Sequence, residues 1–267
     1  MRPLAQFPLE ARRQVRGVLT DIDDTLTTHG RLEAKAYGAL ERLQAAGLLV
    51  IPVTGRPAGW CDHIARLWPV HAVVGENGAF WFHHDAKARR LVKRYVIADA
   101  EREERAQRLD AIAMRVLREV PGCDIAADQP YREADIAIDF CEDVPALPRE
   151  AIAKIVAIMQ SEGLTAKVSS IHVNGWFGGY DKLSTTKACL AETFGIDVES
   201  EKERWIFAGD SPNDQPMFGY FPNAVGVANV LEMKDLIETL PAWVTPSPGS
   251  RGFAELAEAL LEARRSV

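Results

Sequence analysis

Two acidic clusters combine residue types and spacings that could do chemistry. The first, at residues 21–25, reads Asp-Ile-Asp-Asp-Thr, and the second, at residues 209–214, reads Gly-Asp-Ser-Pro-Asn-Asp. On an extended backbone, side chains two residues apart point the same way, so we expect Asp21 and Asp23 to face one crevice. Two carboxylates this close repel each other unless they share a cation or one of them is protonated. A polar turn with an aspartate cap explains an isolated Asp-x-Asp equally well.

Taken together, the two clusters predict a magnesium site. Each follows a short apolar run, and Asp210 and Asp214 would lie on adjacent turns if a helix begins there. Capping is a weak explanation for two clusters that each end a strand of the same sheet. Oxygen ligands from a few carboxylates, completed by water and a substrate phosphate, suit Mg²⁺ better than Zn²⁺ or Ca²⁺. No histidine or cysteine accompanies these carboxylates in either cluster.

Apolar runs alternate with helical patterns in the first part of the chain. Runs at residues 18–20, 48–53 and 72–74 indicate buried strands, and apolar residues between 32 and 43 recur at helical spacing. Similar runs return at residues 205–209 and 224–227. This order predicts right-handed crossovers and a central parallel sheet. Both acidic clusters would then lie at the carboxyl ends of strands, where open α/β sheets bind ligands.

The pattern changes at about residue 83. Polar and apolar residues alternate at 135–140, which predicts a sheet with one face open to solvent, and two amphipathic helices are indicated near residues 109–120 and 152–159. We therefore predict an α/β fold with a Rossmann-like three-layer core around a central parallel sheet, plus an inserted α+β cap. Residues 1–82 and 181–267 are assigned to the core, and residues 83–180 to the cap that confers substrate specificity.

The composition argues against several classes of partner. The chain has 267 residues, with 31 Lys and Arg against 38 Asp and Glu, for a net charge of −7. Nucleic acid and anionic membranes are therefore not expected partners, because no basic stripe is available for phosphates. The four cysteines form no Cys-x-x-Cys pair, so neither a zinc site nor a disulfide framework is predicted. No apolar run near the N-terminus has signal-peptide length, and we expect a cytoplasmic protein.

The chemistry-bearing segments carry a family resemblance. In order, Asp21-x-Asp23-x-Thr25, Thr54-Gly55-Arg56, a lysine before a helix and the cluster at 209–214 resemble the four motifs of the haloacid dehalogenase superfamily of phosphohydrolases. The Glu-Asn-Gly-Ala segment at 76–79, followed by an inserted module, resembles the type IIB branch. That branch includes Cof-like sugar phosphatases, sucrose-phosphate phosphatase and mannosyl-3-phosphoglycerate phosphatase. The resemblance covers nearly the whole chain.

The resemblance implies a role for each motif residue. Asp21 would be the nucleophile that forms an aspartyl-phosphate, and Asp23 the general acid and then base. Thr54 would hold a transferring phosphoryl oxygen. The implied cofactor is Mg²⁺, and the residues assigned to its site are Asp21, Asp23 through its backbone carbonyl, Asp210, Asp214 and Asn213.

A lysine is needed as well, because four carboxylates against one divalent cation leave two negative charges before a phosphate arrives. Lys182 and Lys187 both remain candidates. A helix that begins at Ser184 or Thr185 would leave Lys182 in the loop facing the site, and its distance from Gly195 fits the family pattern, so Lys182 is preferred. The family often has glycine after this lysine, whereas this chain has Leu183.

Five residues are assigned to substrate binding. They are Gly55, Arg56, Asn77, His172 and Asn174. A surface salt bridge is an alternative role for Arg56, and a purely structural role is an alternative for His172.

These assignments predict a Mg²⁺-dependent phosphomonoesterase that acts on a small phosphorylated metabolite, either a sugar phosphate or a glycosyl phosphate. A phosphomutase of the phosphomannomutase type and a non-catalytic metabolite-binding protein on the same fold are the alternatives. No motif fixes the leaving group, the oligomeric state or the balance between open and closed cap.

Overall fold

The computed structural model describes residues 1–265 and contains a parallel sheet, three antiparallel sheets and flanking helices. The strands are β1 (Arg2–Pro3), β2 (Gly17–Thr20), β3 (Thr27–Thr28), β4 (Arg31–Leu32), β5 (Leu49–Pro52), β6 (Val73–Gly75), β7 (Phe80–Asp85), β8 (Arg90–Tyr95), β9 (Asp124–Ile125), β10 (Asp135–Asp139), β11 (Thr165–Val168), β12 (His172–Trp176), β13 (Trp205–Gly209), β14 (Val225–Gly226) and β15 (Trp243–Val244). The helices are α1 (Leu9–Gln14), α2 (Ala34–Ala45), α3 (Ala58–Leu67), α4 (Asp99–Glu119), α5 (Arg149–Ser161), α6 (Lys182–Phe194), α7 (Gln215–Tyr220), α8 (Val230–Met233) and α9 (Gly249–Arg265).

The central sheet is parallel throughout, with strand order β1-β15-β14-β13-β2-β5. Its strands are apolar on both faces because helices cover both sides. In β2, Val18 packs into the cluster beneath α2 and α9, and Leu19 packs into the opposite cluster with α6 and α7. The three-layer α/β core predicted from the apolar runs is therefore confirmed.

A second module lies between β8 and α6. Its four-stranded antiparallel sheet has the order β11-β12-β10-β9, and α4 and α5 pack on one face around Ile136, Ile138 and Val173. This module is the inserted α+β cap. The predicted boundary between residues 82 and 83 falls inside β7, whose Phe80 and Phe82 pack into the core, and the exact division stays a prediction.

The expectation that one face of the cap sheet is open to solvent is wrong. All five residues of β10 are buried, including Asp135 and Asp139, and so are all five of β12. The alternating pattern arises because the polar face of this sheet covers the carboxyl ends of the core strands. Alternation of polar and apolar residues shows that one face of a sheet is polar, but it does not show that this face is exposed. Here the polar face is buried between the cap and the core.

No helix among residues 1–265 combines the length and apolar character needed to span a bilayer.

Candidate active site

The two acidic clusters meet because the strands that precede them are neighbours. β2 and β13 pair in parallel, with Thr20 opposite Ala208. The pairing continues one residue further, since the Asp21 N–H donates to the Ala208 carbonyl at 2.8 Å. Asp21 and Asp210 therefore leave adjacent strands at the same edge of the sheet, as predicted.

Three buried carboxylates converge at this edge. Asp21, Asp210 and Asp214 each offer an oxygen within 4.8 Å of the others, and none of the three is more than 4% exposed. Asp214 reaches the cluster because the short helical turn Pro212–Asp214 folds the chain back after β13. Its Oδ2 accepts the backbone N–H groups of Asp210 at 3.0 Å and Ser211 at 3.3 Å.

Lys182 is the cation of the cluster. Its Nζ donates to Oδ1 of Asp21 and to Oδ1 of Asp214, both at 2.7 Å, and the side chain is only 1% exposed. Burial alone lowers the pKa of Lys182, but the two carboxylates outweigh that effect and raise it above its ordinary value, so the ammonium is retained.

The start of α6 differs from the prediction. The helix begins at Lys182 itself, because Asp181 is the N-cap and forms a reciprocal capping box with Ser184. Lys182 thus occupies the first helical position, facing the carboxylates. Lys187 lies on the outer face of α6, where its side chain is 39% exposed and pairs with Glu199 at 3.1 Å.

Two residues without an assigned role donate hydrogen bonds to the carboxylate of Asp210. Thr25 Oγ1 donates to one carboxylate oxygen at 3.0 Å, and Asn229 Nδ2 donates to the other at 2.9 Å. Asn229 also bonds the Asp24 carbonyl at 3.0 Å, which ties the second cluster to the loop of the first. Thr25 belongs to the first motif, whereas nothing in the sequence around Asn229 marks it.

The donor set fits a hard divalent cation. The metal-competent atoms are carboxylate oxygens, and three carboxylates against one ammonium leave two negative charges without compensation. Burial raises the pKa of Asp21 to about 8, with the Lys182 charge opposing the rise, and burial raises the pKa of Asp210 well above its ordinary value. Such strained carboxylates are relieved by binding a cation.

The second motif, Thr54-Gly55-Arg56, supplies polar groups at the carboxyl end of β5. Thr54 is fully buried after β5, and its Oγ1 accepts the Arg56 N–H at 3.0 Å. Gly55 leaves room for a neighbour, because a Cβ there would lie 3.1 Å from Nδ2 of Asn77. Asn77, held at φ +54°, accepts a 3.2 Å bond from Nδ2 of Asn213, while its own Nδ2 is buried and has no partner among residues 1–265.

Arg56 is engaged in ion pairs and is not free to bind a substrate in this arrangement. Its guanidinium donates to both oxygens of Asp23 at 2.9 and 3.0 Å, to Asp128 at 3.1 Å and to Glu142 at 2.5 Å. Asp128 and Glu142 belong to the cap. Arg56 therefore links the predicted general acid of the core to two carboxylates of the cap, and neither of those carboxylates was identified from sequence.

The cap closes directly over the site. His172 is buried with Nε2 2.9 Å from Oε2 of Glu142, and Asn174 donates to Asp135 at 3.0 Å. Arg132, also missed from sequence, donates to the Gly55 carbonyl at 2.8 Å. The enclosed cavity has a volume of only about 10 Å³, and it is lined by Asp21, Asp23, Gly55, Arg56, Arg132, Ser169, Ile171, His172, Asn174 and Asn213. The structure thus represents the closed arrangement of cap and core.

Sequence comparison places part of the chain in a known family. Residues 18–106 match the family described as haloacid dehalogenase-like hydrolase. No curated protein matches the chain.

Solved structures share the fold over almost the full length. Protein 0175 of Thermoplasma acidophilum is 18% identical, with a TM-score of 0.70 over 92% of this chain and 98% of that one. The C-terminal domain of trehalose-6-phosphate phosphatase from C. albicans is 14% identical, with a TM-score of 0.70 over 98% of each chain. A HAD subclass IIB sugar phosphatase is 15% identical, with a TM-score of 0.60 over 93% of this chain and 98% of that one.

The family match begins at β2, so it contains the first two motifs, and the likeness to solved structures covers more than nine-tenths of the chain. Both findings confirm the resemblance seen in the motifs. Residues 18–106 are thus similar in sequence to haloacid dehalogenase-like hydrolases, and the chain shares the fold of these solved structures, a parallel core with an inserted cap.

Proposed function

We propose that this protein is a metal-dependent phosphomonoesterase that cleaves a small phosphorylated metabolite, a sugar phosphate or glycosyl phosphate, through an aspartyl-phosphate on Asp21. The observation that carries the proposal is the contact between Asp21 and Lys182, inside a cluster of three buried carboxylates. The neighbours described as a sugar phosphatase and a trehalose-6-phosphate phosphatase support the substrate class.

Asp21 is the nucleophile. It lies at a strand end in the cavity, where one of its oxygens is held by Lys182 at 2.7 Å. An Asp21 oxygen attacks phosphorus as the bond to the leaving alkoxide breaks, and Asp23 gives its proton to that alkoxide. Water then attacks phosphorus, its proton passes to Asp23, and the bond from phosphorus to Asp21 breaks to release inorganic phosphate.

Arg56 holds Asp23 in place. Its guanidinium bonds both carboxylate oxygens of Asp23 and also contacts the cap carboxylates Asp128 and Glu142. Asp23 must reach the leaving alkoxide in the first step, so the entering leaving group must draw Arg56 away from it. This assigns Arg56 to positioning of Asp23 and of the cap, in addition to its predicted role in substrate binding.

The other predicted residues stabilise charge. Thr54, Lys182 and the unpartnered Nδ2 of Asn77 supply donors for phosphoryl oxygens. Asp21, Asp210 and the Asp23 carbonyl would hold Mg²⁺, with Asp214 and Asn213 ordering its surroundings, and the ion would neutralise the developing negative charge. His172 and Asn174 face the leaving group from the cap.

Phosphate release from a panel of hexose phosphates and glycerol phosphates tests the proposal. We expect Mg²⁺-dependent turnover that disappears after metal removal and returns when Mg²⁺ is restored. Asp21→Asn should abolish turnover, whereas the matched control Asp24→Asn, at the neighbouring carboxylate outside the metal-competent trio, should stay within a few-fold of wild type. Turnover by Asp21→Asn at the wild-type rate would contradict the nucleophile assignment. Conversion of one phosphate isomer to another without release would instead indicate a phosphomutase.

A further inference from the structure

A groove adjoins the closed site, and Asp23 lines both the groove and the enclosed cavity beside Asp21. We call it the aromatic groove, and its defining residues are Asp23, Arg56, Trp60, His63, Trp68 and Tyr131. Its volume is about 510 Å³, within the range of about 300–1,000 Å³ common for small-molecule sites. We propose that the aromatic groove binds an uncharged sugar ring of the leaving group, which makes Trp60 and Tyr131 specificity-determining residues.

The first argument is room. The enclosed cavity beside Asp21, at about 10 Å³, has no space for a ring while the cap is closed. Asp23, the group that protonates the leaving oxygen under the proposed function, lines both that cavity and the aromatic groove. A leaving group whose oxygen lies at Asp23 can therefore extend into the groove. This inference rests on the proposed function, because it takes Asp23 to be next to the leaving group.

The second argument is the chemistry of the walls. Trp60 is 42% exposed and Tyr131 is 58% exposed, so both large aromatic side chains offer accessible surface in the groove. The Arg56 guanidinium lies 4.4 Å from the centre of the Trp60 ring, so one ring face is occupied while much of the side chain stays accessible. Aromatic faces bind the flat apolar faces of sugar rings, and His63 and Asp23 supply polar groups for hydroxyls.

The third argument is charge. Arg56 and Asp23 face the groove as a bonded pair, and the remaining charged partners of Arg56 are the cap carboxylates Asp128 and Glu142. Among the residues that line the groove, the one arginine is thus already committed to three carboxylates, so an anionic leaving group placed beside Asp23 would find no uncommitted arginine to compensate its charge. An uncharged polyhydroxylated ring meets no such penalty.

The groove also depends on closure of the cap. One wall comes from α3 of the core, and the cap contributes Tyr131 from the helical turn Gln129–Tyr131. They approach closely because Gly59 has no side chain: a Cβ there would lie 3.0 Å from the Cβ of Tyr131. The groove is therefore complete only in the closed arrangement, when chemistry occurs, and an occupying ring would hold the cap shut.

The test compares a ring-bearing substrate with one that lacks a ring. We expect Trp60→Ala to lower kcat/KM for the best hexose phosphate about 10-fold, equal to about 1.4 kcal/mol, and to leave glycerol 3-phosphate within about two-fold. Trp60→Phe should restore most of the loss. Leu67→Ala, which removes another exposed apolar side chain of α3 outside the groove, should change neither substrate.

Two results would overturn the proposal. One is an equal loss, or no loss, for both substrates in Trp60→Ala. The other is a selective loss of activity toward the hexose phosphate in Ser170→Val but not in Trp60→Ala. Ser170 lines a second cavity beside Asp23, with a volume of about 330 Å³, and this result would place the sugar ring there. If no ester is hydrolysed, the proposed function fails separately. Calorimetric binding of glucose 6-phosphate to wild type and Trp60→Ala then tests the groove, and equal affinities overturn it.

Discussion

At the scale of single residues, the site is dominated by the balance of charge around Asp21. Lys182 is almost wholly buried, and both of its hydrogen bonds go to carboxylates. Without it, Asp21, Asp210 and Asp214 would face each other and an incoming phosphate with no other cation of residues 1–265 forming an ion pair with them. A lysine in this position lowers the electrostatic free energy of bringing a phosphate dianion to an acidic site. The count of charged motif residues in the sequence already indicated that such a cation is needed.

Removing this ammonium should be far more damaging than removing a surface one. We expect Lys182→Ala to lower kcat/KM at least about 100-fold, by analogy with the loss of a preorganised donor to a transition-state oxyanion. Lys187→Ala is the matched control, since Lys187 lies on the same helix with an exposed ion pair, and it should stay within a few-fold of wild type. Steady-state phosphate release measures both. A large loss of kcat/KM in Lys187→Ala together with near-normal activity in Lys182→Ala would contradict the assignment.

The outcome of prediction at this scale depended on whether a residue belongs to a local motif. Asp21, Asp23, Thr54 and Lys182 could be proposed from the sequence because they lie in short motifs that resemble those of a known family. Arg132, Asp128 and Glu142 were not, because they reach the site only through the docking of the cap on the core. Contacts between segments far apart in the chain leave no pattern in either segment.

At the scale of elements, helix α6 shows what the sequence could not decide. Asp181, Ser184 and Thr185 are all good capping residues, and the prediction chose the later ones. In the structure Asp181 accepts the Ser184 N–H at 2.7 Å and Ser184 accepts the Asp181 N–H at 3.0 Å, so two donors are satisfied together. The core strands were easier to predict, because long apolar runs have one stable environment.

Two glycines, one directly after a helix and one inside a helix, lead to opposite predictions for stability. Gly195 ends α6 at φ +66°, where a side chain is strained even though no atom blocks it, so Gly195→Ala should lower the free energy of unfolding by about 1 kcal/mol. Gly38 lies inside α2 with open space around a Cβ, so Gly38→Ala should raise it by about 0.5–1 kcal/mol. Denaturant unfolding checks both variants. A gain in stability at Gly195 would show that its backbone does not keep this conformation.

At the scale of the whole molecule, one charged network joins the two modules. Arg56 of the core contacts Glu142 and Asp128 of the cap, and the Glu76 carboxylate of the core accepts the backbone N–H groups of Glu133 and Ala134, with shortest distances of 3.0 and 2.6 Å. The Glu76 contacts fix one edge of the cap, and the Arg56 contacts fix it over Asp23. Closure of the cap therefore depends on ion pairs with limited exposure, whose strength varies with protonation.

Glu142 gives this closure a measurable pH dependence. Although partial burial opposes it, the nearby His172 and Arg56 lower the pKa of Glu142 from 4.5 to about 2. A carboxyl whose pKa is depressed in the folded state stabilises that state fully when the pH is above the pKa of the same carboxyl in the unfolded chain. The stabilisation is lost as the pH falls from about 5 towards 2. We therefore expect the unfolding free energy of wild type to exceed that of Glu142→Gln at pH 7, and the difference to shrink by about 1 kcal/mol at about pH 3.5.

The control for this measurement is Glu150→Gln, at an exposed position near the start of cap helix α5. Its substitution should change the unfolding free energy only slightly, because among residues 1–265 the Glu150 side chain forms no ion pair like that between Glu142 and Arg56. If the difference between wild type and Glu142→Gln is instead the same at both pH values, then Glu142 is not held by Arg56 and His172 in solution. The cap would in that case rest in a more open position, with substrate entry no longer requiring these ion pairs to break.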